Sequence, residues 1–210
     1  MGGKRAGKQL KLSGKKKRYW KPSNLNRCQY TSTSKMLATF GYSEQWLEYG
    51  ILTTKFLTKQ YRVFHSSEDK HTEHYRYGAF RNFLDHRISL TDQELAGYLQ
   101  LTLTDKYFIM GGAAAQDLFT EVALTTEQFE WVCKKIGEFP GDWTAKLLTR
   151  QRLLRQLKNT ELTAPLFEEC LANSDGVVQK SLLALADAAQ LRELSDKGVT
   201  SEVVRLGRTV

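Results

Sequence analysis

A helix-start signature that recurs at a fixed interval restricts this chain more than any other feature. Thr91-Asp92-Gln93-Glu94 has the S/T-x-x-E/Q spacing in which the threonine hydroxyl accepts from the N3 amide while the glutamate reaches back to the cap amide. Thr125-Thr126-Glu127-Gln128 repeats it 34 residues later, and Thr160 opens a third helical segment after 35 more. Phe129, Val132, Cys133 and Ile136 then fall at i, i+3, i+4 and i+7, which is one apolar face of a helix, with Trp131 off that stripe. Leu162, Leu166 and Cys170, with the adjoining Phe167 and Leu171, form the matching face after Thr160.

The breaks correspond as well. Asp105, Asp142 and Asp175 lie 14, 16 and 15 residues beyond Thr91, Thr126 and Thr160, each placed to cap a second helix. Those second helices are expected over residues 106–119, 143–157 and 176–189, the last carrying Val178, Leu182, Leu185 and Ala189 on one face. An earlier pair is expected over residues 43–64 and 73–87, and residues 199–207 read as the start of a closing helix. Within Met110-Gly111-Gly112-Ala113-Ala114-Ala115 neither phosphate-loop pattern is present, so the small residues predict a strip where a neighbouring helix comes close.

Helix pairs recurring at about 35 residues predict an all-α domain in which no unit buries its own face and stacking supplies the core. On that spacing, the caps and the Gly-Gly-Ala-Ala-Ala close packing, Ser43 to Val210 resembles the HEAT-like and armadillo-like helical repeats. The resemblance implies antiparallel helix pairs stacked as a short α-solenoid over residues 42–210. A compact, non-repetitive bundle of helices of similar length is the competing arrangement.

Charge divides the chain. No Asp or Glu occurs from Met1 to Ser43, where eleven cations do; the remainder holds 20 of the 31 basic residues against all 23 acidic ones, a net of −3. A mildly acidic body with a cationic arm points to a polyanionic partner. The arm, residues 1–41, is glycine- and lysine-rich up to Lys21 and lacks the apolar surface to order itself when free. Residues 22–40 are polar and irregular, with order expected only near Met36–Phe40.

Lys4, Arg5, Lys8, Lys11, Lys15, Lys16, Lys17, Arg18, Lys21 and Arg27 can neutralise phosphates, and Tyr19 and Trp20 offer faces on which bases stack. Those residues are the expected nucleic-acid contacts, to RNA or DNA, within a larger nucleoprotein assembly. A solubilising tail, a nuclear import signal and an organelle transit segment are the other readings of the arm. Lys146, Arg150, Arg152, Arg155 and Lys158 recur on one body helix, either as an extension of that footprint or as a solvated face.

Catalytic patterns are weak. His65, His71 and His74 crowd one segment, but the H-x-E-H order matches neither zinc-hydrolase motif, so no metal or other cofactor is expected. Cys28, Cys133 and Cys170 are widely spaced and form no C-x-x-C pair. The expectation is therefore a non-enzymatic scaffold whose body meets protein partners. The alternatives are an interaction adaptor with an incidental basic tail and, by the resemblance, a helical-repeat enzyme such as an alkylpurine DNA glycosylase using Trp131, Trp143 and Asp142. With no apolar run of membrane-spanning length and no secretory segment, the default expectation is an intracellular, cytoplasmic protein without a membrane partner.

Overall fold

The computed structural model describes residues 31–85, 87–139, 141–173 and 175–207, which form twelve α-helices and no strand. None of these helices is long and apolar enough to cross a membrane. α1 (Thr33–Phe40) places Met36, Leu37 and Phe40 in the core and ends at Gly41, whose φ of 72° is the left-handed cap that glycine adopts without strain. Order near Met36–Phe40 was expected, and this helix with its three core residues lies ahead of the boundary expected at Tyr42.

The segment expected to form one helix over residues 43–64 is divided. α2 (Gln45–Glu48) is a single turn, Gly50 turns the chain at φ 69°, and Thr53 caps α3 (Thr54–Ser66) through the Phe56 amide. Burial of Ile51 and Leu52 in the connection explains the break, because a straight helix could not bring both to the core along with Trp46 and Leu57. α4 (Thr72–Leu84) follows. Lys70 donates to the carbonyls of Phe64 and Ser67 and lies over the Phe64 ring, so that a cation closes the C-terminus of α3.

The two capping boxes form as the spacing requires. Thr91 and Glu94 open α5 (Asp92–Leu103), and Thr125 and Gln128 open α7 (Thr126–Gly137). Between them lies α6 (Phe108–Glu121), which packs on α4 and α5. A Cβ added at Gly111 would collide with the Thr102 carbonyl oxygen, and one at Gly112 would lie 2.9 Å from the Trp143 ring, while Ala114 and Ala115 are fully buried. The small-residue strip is thus where α5 and the start of α8 close on α6, and Tyr98 locks it by donating to the Ala114 carbonyl.

Beyond α7 three details differ from expectation. α8 (Asp142–Asn159) runs far enough that Thr160 ends it, donating its hydroxyl to Gln156; the cap of α9 (Ala164–Ala172) is Thr163, with Pro165 in the first turn, where it removes no helical hydrogen bond. Of the three aspartates expected as caps, only Asp175 caps, accepting from Val177 and Val178 at the start of α10 (Gly176–Leu182). Asp142 is the first residue of α8 and makes no cap bond, and Asp105 is committed elsewhere. α10 stops seven residues short of Ala189, leaving Leu185 exposed, because Asp187 and Gln190 form a third capping box that starts α11 (Ala188–Lys197). Buried Gln179 fixes α10 in place, donating to Leu171 and accepting from Val199 just before α12 (Ser201–Gly207).

Sequential helices pack as pairs: α5 on α6, α7 on α8, α9 on α10 and α11 on α12. Contacts between pairs run α5 to α7, α9 to α11, α8 to α10 and α10 to α12. One apolar cluster extends from Met36 to Leu148 and a second from Leu153 to Val203. α8, about 27 Å long at 1.5 Å per residue, enters both, contributing Leu147 and Leu148 to the first and Leu153 and Leu157 to the second.

Candidate nucleic-acid interface

The expected arm contacts, Lys4, Arg5, Lys8, Lys11, Lys15, Lys16, Lys17, Arg18, Tyr19, Trp20, Lys21 and Arg27, lie outside the described residues, as does Cys28. Lys35, the last cation of the acid-free stretch, is exposed in the first turn of α1, where its amide donates to the Ser32 cap.

The cations of α8 do not form one face. Arg150 donates to Asp175 at 2.7 Å and so ties α8 to the cap of α10; burial raises the Asp175 carboxyl, but Arg150 and two backbone amides outweigh it and hold the group below the usual range. Arg155 lies over the Phe129 ring and donates to the Leu124 carbonyl and Thr126 hydroxyl, bracing the start of α7. Lys146, Arg152 and Lys158 are exposed, but at six-residue intervals they are rotated by about 240° at each step and share no surface. The five cations of α8 therefore do not form the continuous face that an extended phosphate footprint along this helix would need.

A basic face does exist, on α3. Lys55, Lys59 and Arg62 stand at i, i+4 and i+7, all exposed, within an arc of about 60° at about 100° per residue, opposite the buried Leu57, Gln60 and Tyr61. None of the three has an ion-pair partner among the described residues. Beside them opens a groove of about 780 Å³ lined also by Phe56, Val63 and Asn82 of α4. Lys59 lies 6.0 Å from the Phe56 ring centroid. The signal was in the sequence, since Tyr49 to Ser67 holds no acidic residue, but the body's net charge of −3 averages it away.

His65, His71 and His74 make local contacts. His65 packs edge-on against Tyr61 and Phe64. Nδ1 of His74 is 3.0 Å from Asp69, which raises the imidazole and lowers the carboxyl from their ordinary values, and His71 is 3.2 Å from Glu73. Among the described residues no group of three or more His, Cys, Asp or Glu side chains is arranged to hold a metal ion. Cys133 and Cys170 are buried and not bonded to each other, and burial pushes each thiol up to about 11, far from a reactive thiolate.

Trp131, 37% exposed, borders a groove with Asp92, Leu95 and Glu127; Asp142 and Trp143 do not line it. The Trp143 ring instead covers Gly112 and meets Phe108 edge-on. At the start of α6, Phe108 and Ile109 are 67% and 83% exposed, an apolar step on the surface that the sequence reading did not single out. Compared with known proteins, the chain matches no family model, no curated protein and no solved structure.

Proposed function

We propose that this chain is a non-enzymatic helical scaffold whose cationic N-terminal segment binds the phosphates of a nucleic acid within a larger assembly. The observation that carries this reading is the charge segregation: eleven cations and no acid in the first 43 residues, against a remainder of net −3. Counter-ion release makes such a segment bind phosphodiesters tightly at low salt, and Tyr19 and Trp20 add stacking surfaces among the cations. The body's role as a stacked, solenoid-like support is favoured by its pairing order, in which α5 meets α7 and α9 meets α11, while α4 meets α6, α8 meets α10 and α10 meets α12.

A protein-binding adaptor is the second reading, and one observation favours it: the exposed Phe108 and Ile109 beside Trp143. Removing Met1–Lys21 and measuring oligonucleotide affinity over a salt series separates the two. The scaffold reading requires that truncation cut affinity and flatten the salt dependence. Equal binding by full-length and truncated protein, or a flat slope for both, refutes it.

A further inference from the structure

The arm is not the only feature suited to a phosphate chain, because the body carries a cationic surface that its own fold leaves uncompensated. Lys55, Lys59 and Arg62 repel one another across adjacent turns of α3. Four of the body's arginines, by contrast, have carboxylate partners: Arg76 pairs with Asp105, Arg81 with Asp117 and Glu121, Arg87 with Glu94 and Arg150 with Asp175. α3 itself contains no acidic residue, so the missing countercharge is not supplied within its own helix.

We propose that the Lys55–Lys59–Arg62 face of α3, with the groove beside it, is a second nucleic-acid contact that holds the sugar-phosphate backbone of a strand against the body. This rests on the reading that the polyanionic partner is a nucleic acid. Spacing supports it: at about 1.5 Å per residue the three cations span about 10 Å along the helix, the axial rise of about three nucleotides in one strand. Chemistry supports it too. Phe56 and the exposed Val63 give the groove an apolar lining against which a base or sugar can lie, and Asn82 presents a carboxamide with no hydrogen-bond partner among the described residues. Three point charges and one amide read no base sequence, so the contact is expected to follow the backbone and to be sequence-tolerant.

The site is tested in the full chain with a fluorescent oligothymidylate, following anisotropy from about 50 to about 200 mM salt. Four proteins are compared: the wild type, K55Q/K59Q/R62Q, an arm variant K15Q/K16Q/K17Q/R18Q, and K55R/K59R. Loss of three phosphate contacts lowers the slope of log K against log salt by about 2, since each contributes about 0.7 on a single strand. The charge-keeping K55R/K59R retains the wild-type slope, which separates loss of charge from loss of fold. If K55Q/K59Q/R62Q keeps the wild-type slope while the arm variant loses its own, the α3 site is refuted and the arm reading stands. If the arm variant is unchanged and the α3 variant is not, the body site stands and the arm reading fails. A wild type that binds no oligonucleotide overturns both. Vesicles of phosphatidylserine and phosphatidylcholine provide the last arm: α3-dependent binding to them, with oligonucleotide binding unaltered, assigns the face to a membrane surface and overturns the proposal.

Discussion

Replacing Asp105 by Ala tests the least exposed charge pair among the described residues. The Arg76 and Asp105 side chains are 1% and 3% exposed. Nε of Arg76 donates to Oδ2 at 2.8 Å and Nη2 to Oδ1 at 3.2 Å, while Nη1 donates to the Phe40 carbonyl at 2.7 Å. Oδ1 also accepts from the Tyr107 amide at 2.8 Å, so the pair joins α1, through the guanidinium, to α4 and the turn entering α6. Removing it leaves a buried guanidinium without its counter-ion, a class of change that costs about 3–5 kcal/mol. The lower part of that range is expected, because Phe40 and Thr72 still accept from Arg76 and a groove of about 260 Å³ adjoins the pair, from which water can reach the cation. For a domain of this size a loss of about 3 kcal/mol lowers the melting temperature by roughly 6–12 °C. Urea denaturation followed by circular dichroism gives the free energy directly. The double variant Arg76→Met/Asp105→Leu should recover part of the loss by removing both charges, although the Phe40 carbonyl then loses its donor. An Asp105→Ala cost below about 1 kcal/mol, with an unchanged denaturant slope, would show that the pair is not isolated from solvent and refute the reasoning.

Gly111→Ala should destabilise by about 1–3 kcal/mol despite alanine's better helix propensity, because its Cβ meets the Thr102 backbone; Gly78→Ala, whose nearest neighbour is 3.8 Å away, should stabilise by up to about 1 kcal/mol, and thermal melts of the two check the contrast. Thr91→Ala and Thr125→Ala should each cost about 1 kcal/mol in urea denaturation, since each removes the hydroxyl half of a capping box. Asp69 raises the His74 imidazole, so the interaction is fully present below the ordinary histidine value and is lost as pH rises through the folded one; in Asp69→Asn the NMR titration midpoint of His74 should move down. Cys133 and Cys170 should resist a thiol reagent at mildly alkaline pH until denaturant is added, as read by mass spectrometry of the labelled peptides.

The sequence alone determined the features in which a side chain acts on backbone three residues away or repeats along its own helix. The capping boxes at Thr91 and Thr125 and the buried stripe Phe129, Val132, Cys133 and Ile136 are of this kind, and so was the all-helical class. Asp187 with Gln190 carries the same local signature, and attention to it would have ended α10 at the right place. The cationic stretch is likewise written in the chain, though its residues lie outside those the structure describes.

Tertiary packing decided everything that depended on which distant group a residue would meet. Asp105 resembles Asp175 locally, and each meets an arginine of another helix, 29 and 25 positions away, yet only Asp175 also caps a helix; both oxygens of Asp105 are engaged by Arg76, which is buried. Thr160 and Thr163 are equivalent as caps by type; the length of α8, fixed by the two apolar clusters it enters, assigns the first to an ending and the second to a beginning. The cations of α8 and α3 were likewise indistinguishable by charge. Packing gave Arg150 and Arg155 partners and left Lys55, Lys59 and Arg62 facing an open groove, since a countercharge is supplied by whichever helix lies alongside and sequence spacing does not specify that neighbour.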